Sequence, residues 1–203
     1  MLKEVAMSGM LLLMAALSMP WDSKPGDKDA PLSWMTDANE VVIQDHWVGY
    51  GPASPVVADY TLRRKDGNFV GGASFSVGGH FKKARKDSCD VEIPAGAAAE
   101  FLKSLAGCVS REAEYKPGIH HTDDYPDIRI TVKTEGKTAT FSSRSQGEFH
   151  APWAVEAGGK TRVVDGDAPG RALKRLEKHL AKGRLEALVK QVVAQPAGGD
   201  RMR

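Results

Sequence analysis

The chain has only two cysteines in 203 residues, Cys89 and Cys108, and no Cys-x-x-Cys pair. A zinc site built on thiolates, which needs paired ligands at short spacing, is therefore excluded. Apolar runs are also short. None approaches the roughly 20 residues that a membrane-crossing helix requires, so no transmembrane anchor is expected. Charge of one sign is lacking too, because 28 Lys and Arg stand against 26 Asp and Glu for a net charge of +2. That balance gives no bulk attraction to nucleic acid. The short basic runs, Lys82 to Lys86 and Arg171 to Arg184, read as a solvated loop and a solvated helix face. No Gly-x-Ser-x-Gly elbow surrounds any serine, and neither Gly71-Gly72 nor Gly78-Gly79 leads into a helix through Lys-Ser or Lys-Thr. An esterase-type nucleophile and a phosphate-cradling loop are thus both unsupported. No repeat of fixed period is present.

Export is the strongest signal among the features that do occur. Lys3 precedes the apolar run Met10 to Leu17, and the small residues Ala16 and Ser18 stand at −3 and −1 of a cleavage site before Met19. This pattern predicts a signal peptide over residues 1–18 and a periplasmic or secreted protein. Pro20, Pro25, Gly26 and Pro31 break any periodicity over residues 19–38, which read as a linker. A single domain is expected over 39–196, followed by a flexible tail at 197–203.

Antiparallel hairpins dominate the domain. Tyr60 to Arg64 and Phe69 to Val77 flank Asp66-Gly67, Ile128 to Val132 and Thr138 to Phe141 flank Glu135-Gly136, and Trp153 to Val155 and Thr161 to Val164 flank Gly158-Gly159. Such dipeptides tolerate the positive φ of tight turns. An apolar strand is expected over Val41 to Trp47, and a short one over Asp90 to Ile93. Pro94 opens a helix in which Ala97, Ala98, Phe101, Leu102 and Leu105 recur at helical spacing up to Gly107. Asp167 and Pro169 start a second helical segment with two stripes, Leu173, Leu176, Leu180 and then Leu185, Leu188, Val189, Val192, separated at Gly183. The fold class is α+β: an antiparallel sheet of three hairpins, one short packed helix and a C-terminal helical segment. Gly71-Gly72 marks a bulge or a close backbone approach.

The stretch Trp47-x-Gly49-x-x-Pro52, Tyr60-x-Leu62, Asp66-Gly67-x-Phe69-x-Gly71 and His121-Thr122-Asp123 with Pro126 is similar to a family of small exported bacterial domains of unknown function. The resemblance implies a hairpin, a helix, a second hairpin and a closing helical segment over residues 40–182, and export. It implies no activity.

Chemistry is concentrated between strands. His120, His121, Asp123, Asp124 and Asp127 supply nitrogen and oxygen donors, and His150 adds another, so His121, Asp123, Asp124 and His150 form a candidate metal set. Arg144, Gln146 and His150 stand at a polar hairpin end. The expectation is a non-enzymatic interaction domain without a cofactor, holding an unknown protein or cell-envelope ligand through residues 48–56, 119–127 and 142–152 at one end of the sheet. Its candidate binding residues are His120, His121, Asp123, Asp124, Arg144, Gln146 and His150. A metal-assisted hydrolase on the metal set, and an inhibitor or immunity-type protein, are the alternatives. Trp47, Tyr50 and Tyr60 are placed in the core or on an aromatic platform. A disulfide between Cys89 and Cys108 is expected, because strand 90–93 rises and helix 95–107 descends beside it, returning both to one end.

Overall fold

The computed structural model describes residues 32–49, 51–79, 82–112, 126–144 and 153–196. Alternation of apolar and polar residues at period two builds nine strands, β1 (Glu40–Trp47), β2 (Val56–Lys65), β3 (Asn68–Val77), β4 (Arg85–Ile93), β5 (Ser110–Arg111), β6 (Pro126–Thr134), β7 (Lys137–Arg144), β8 (Trp153–Ala157) and β9 (Lys160–Val164). They form one antiparallel sheet in the order β4-β3-β2-β1-β6-β7-β8-β9-β5. Two meanders, β4 to β1 and β6 to β9, thus meet at a single seam. There β1 runs beside β6 from Glu40 opposite Lys133 to Trp47 opposite Pro126.

All three expected hairpins form, with positive φ at Asp66, Gly67, Gly136, Gly158 and Gly159. The sheet is larger than three hairpins, however. β1 joins the two meanders, and β4 begins at Arg85 inside the basic run read as a loop. Its inward residues Val91 and Ile93 are buried while Lys86, Ser88, Asp90 and Glu92 stay exposed, which is the pattern of a charged edge strand. Arg184 reaches this edge, donating to Asp87 Oδ2 and to the Ser88 carbonyl at 3.2 Å each. The opposite edge, β5, has two residues.

Three helices, α1 (Ala95–Ala106), α2 (Ala168–Leu176) and α3 (Lys182–Val193), complete the order. Pro94 precedes α1, and the Asn68 side chain supplies the missing cap by accepting from the Ala95 amide at 2.9 Å. The break between the C-terminal helices falls at Ala181, in the left-handed region at φ 52°, and Gly183 lies inside α3. Part of the expected linker is folded as well: Leu32–Asp37 is a 3-10 helix whose Leu32 and Met35, three apart, share one buried face. Arg64 fixes it through a 2.8 Å bond to the Thr36 carbonyl.

The core lies on one face of the sheet. Ile43, Leu62, Phe75, Ile130, Val132 and Phe141 meet Phe101, Leu102 and Leu105 of α1, Leu173 and Leu176 of α2, and Leu188 and Val192 of α3. Each such side chain contributes about 1.5–3 kcal/mol on burial. Gly71 faces this layer opposite Leu62, where a Cβ would collide with the Thr61 carbonyl oxygen. The expected close approach is therefore real. At the start of β8, the buried Trp153 donates its indole N–H to Asp167 Oδ1 at 2.7 Å.

Candidate functional site

The two ends of the sheet differ in construction. All three tight turns lie at one end. At the other, Trp47 stands beside Val56 and Pro126, Val56 beside Val77, Val77 beside Arg85, and Asp127 beside Arg144. The end of β1, the starts of β2 and β6 and the end of β7 are consequently neighbours. His120, His121, Asp123, Asp124, Gln146 and His150 lie outside the described residues, and with them the candidate metal set. Arg144 is the last residue of β7. Among the described residues no group of three or more His, Cys, Asp or Glu is placed to hold a metal ion.

At this end a cleft of about 480 Å³ opens between the sheet and α3. Its sheet wall follows from the pleat. Val41, Ile43, Asp45 and Trp47 share one face of β1, so the strand that buries Val41 and Ile43 presents Asp45 and Trp47 to the same layer. Val56 of β2 lies opposite Trp47. The helix wall is made by Lys182, Leu185, Glu186, Val189 and Lys190, which recur at three- and four-residue spacing on one side of α3. Lys82 holds the far end of that helix, donating to the carbonyls of Val192 at 3.1 Å and Val193 at 2.9 Å. An ammonium there also suits the negative end of the helix dipole.

Asp45 is the unusual group. It makes no hydrogen bond or ion pair among the described residues. Burial raises its pKa above the ordinary carboxylate value, and Glu177 adds to this, while Lys182 and His46 oppose it. Lys182 is itself bonded to Glu177 Oε1. Tyr60, 3% exposed, lies deeper in the same layer, and burial close to Asp45, Cys89 and Glu177 pushes its phenol far above its usual value. Tyr60 is therefore a core residue, packed edge-on to Phe75 at 5.9 Å between ring centres. Trp47 lines the cleft.

The opposite face of the sheet carries a second polar group. His46 Nε2 lies 2.7 Å from Asp59 Oδ1, and Ser74 stands across from Asp59 on β3. A hollow of about 450 Å³ includes Asp59, Ser74, Ser76, Lys86 and Ser88. No serine hydroxyl among the described residues bonds to His46, so the nucleophile-to-base contact of a hydrolytic triad is not formed there. Asp127, opposite His46 on β6, keeps Oδ1 buried with no hydrogen-bond partner.

Both cysteines are free thiols. Cys89 faces the helix layer opposite Ala73, and Cys108 donates to the Ser104 carbonyl at 3.4 Å. Burial pushes the Cys108 thiol up to about 11, against the opposing charge of Arg171. No described helix is long and apolar enough to cross a membrane.

Residue selection from sequence missed Asp45, Lys182, His46 and Asp59. For Asp45 the signal was available: an acid at the third position of the inward series Val41, Ile43, Asp45, Trp47 breaks an apolar face. His46 and Asp59 meet only through the β1–β2 register, which places Gln44 opposite Asp59 and His46 opposite Val57. No family model, no curated protein and no solved structure matches this chain.

Proposed function

We propose that the chain is an exported, non-enzymatic interaction domain that holds a ligand in the cleft between β1, β2 and α3, at the loop end of its sheet. The observation that carries this reading is the cleft itself. Its volume of about 480 Å³ falls within the usual range of small-molecule sites, and its walls are largely apolar with a few charged groups converging on it. Export rests on the apolar run of residues 10–17 and on the resemblance to small exported domains over Trp47 to Pro126. No catalytic step is assigned, because the described residues of the cleft hold no paired nucleophile and base.

The test uses N-phenyl-1-naphthylamine, a neutral probe that fluoresces in apolar surroundings. The full chain should enhance its emission saturably, and Val56→Trp, which fills the cleft, should abolish the enhancement while far-UV circular dichroism stays unchanged. Absence of enhancement, or an unaltered response in a folded Val56→Trp protein, overturns the reading.

A further inference from the structure

The charges around the cleft differ in how they are paired. Glu186 and Lys190 stand four residues apart on α3 and are opposite in sign. Lys182 is already bonded to Glu177. Asp45 lacks such a partner. Among the lining residues Asp45 and Glu186 equal Lys182 and Lys190 in number, but Lys182 is held by Glu177 outside the lining, which leaves Asp45 without a cation bonded to it. Asp45 is half-buried and partly desolvated, and a ligand that donates to it replaces the water that it has lost.

The surroundings of Asp45 narrow the chemistry further. A carboxylate ligand would bring like charge against Asp45. An aliphatic alcohol could donate one hydrogen bond but would bring no charge to the Asp45 carboxylate. An ammonium supplies both donors and charge, and charge-assisted bonds are about twice as strong as neutral ones. The indole of Trp47 on the same wall also favours a cation over an anion. Beyond the polar groups, Val56, Leu185 and Val189 offer aliphatic surface, with Leu185 and Val189 already packed on the core.

We propose that the cleft selects a small primary amine on an aliphatic stem, with its ammonium at Asp45 and its stem along Val56, Leu185 and Val189. This inference rests on the reading of the cleft as a ligand site. The carboxylate sets the selectivity and the apolar walls set the affinity.

Displacement of bound N-phenyl-1-naphthylamine by n-octylammonium and by n-octanoate, at equal ionic strength and neutral pH, tests it. The stems are identical, so only the head groups differ. Octylammonium should displace the probe at a concentration at least tenfold lower than octanoate. Asp45→Asn, which keeps the shape and removes the charge, should bring the two to within about threefold, a change of roughly 0.7 kcal/mol or more in selectivity. The same variant must still bind the probe, which shows that the cleft is intact. If octanoate displaces the probe as well as octylammonium does, or if Asp45→Asn leaves the preference in place, the inference fails while the cleft reading stands. If the probe does not bind the unaltered protein, both fail.

Discussion

Two carboxylates on β1 summarise the contrast between the ends of the sheet. Glu40, at the turn end, is gripped by Lys133 at 2.6 Å and by Arg63 at 3.3 Å from the flanking strands. Its pKa is lowered, first by the Lys133 bond. Asp45, at the loop end and on the opposite face, has no such grip, and burial raises its pKa. Strand, backbone and register are the same for both. The difference teaches that one strand can hold an acid between two cations at one end and leave another without a bonded cation near the other, according to what the flanking strands and helices bring to each face.

The turn half of the sheet should be the less forgiving of the two. Gly71→Ala places a methyl group against the Thr61 carbonyl in the middle of a paired strand. A loss of about 3 kcal/mol in urea denaturation is expected, because neither backbone can retreat without breaking the ladder. A loss below about 1 kcal/mol would show that the turn half yields as readily as the loop end.

Glu40→Gln sharpens the comparison with a smaller effect. The ion pairs are partly exposed, so about 0.5 kcal/mol should be lost at pH 7. Because the folded-state pKa is lowered, the stabilisation is present above the unfolded value and disappears as pH falls through the native one. The variant and the unaltered protein should therefore converge in urea midpoint at low pH. A constant difference from pH 7 to pH 2 would show that charge is not the cause.

Asp45→Asn should give the smallest change and the opposite sign. A raised folded-state pKa means that the folded protein binds the proton more tightly, so stability falls as pH rises from the unfolded value of 3.8 through the native one. Removing the charge should raise the urea midpoint at pH 7 and leave it unchanged at pH 3. A lower midpoint at pH 7 would mean that Asp45 is held by a favourable contact after all, and the contrast with Glu40 would collapse.

The legibility of the sequence follows the same division. Asp66-Gly67, Glu135-Gly136 and Gly158-Gly159 announce the turns because the required positive φ selects those residues locally. The helix from Ala95 is equally visible, since Pro94 and its apolar spacing act within a dozen residues. What depends on distant partners is not visible. Nothing near β1 indicates that its outer edge joins β6, and the basic start of β4 resembles a loop until β3 is laid beside it. Ala181 turns left-handed with no residue-type signal, whereas Gly183, which looked like the break, is helical. The candidate binding residues were chosen for their functional groups and fall in segments 119–127 and 142–152. Asp45 lies inside the strand expected over Val41 to Trp47, and its place beside the cleft depends on α3, which packs there from far along the chain.

The β1–β6 seam has a consequence for the order of assembly. The first meander, β1 to β4, is complete in the chain by Ile93, and α1 follows at once, but the strand that covers the free side of β1 begins only at Pro126. During synthesis β1 must wait as an open edge with Val41 and Ile43 in reach of water. Pairings so distant in sequence close slowly, on the scale of milliseconds to seconds, because the intervening loop must first give up its entropy. β1, an interior strand of the finished sheet, is thus flanked on its second side late, and the interval before that is when the chain is most open to a chaperone or to a wrong partner.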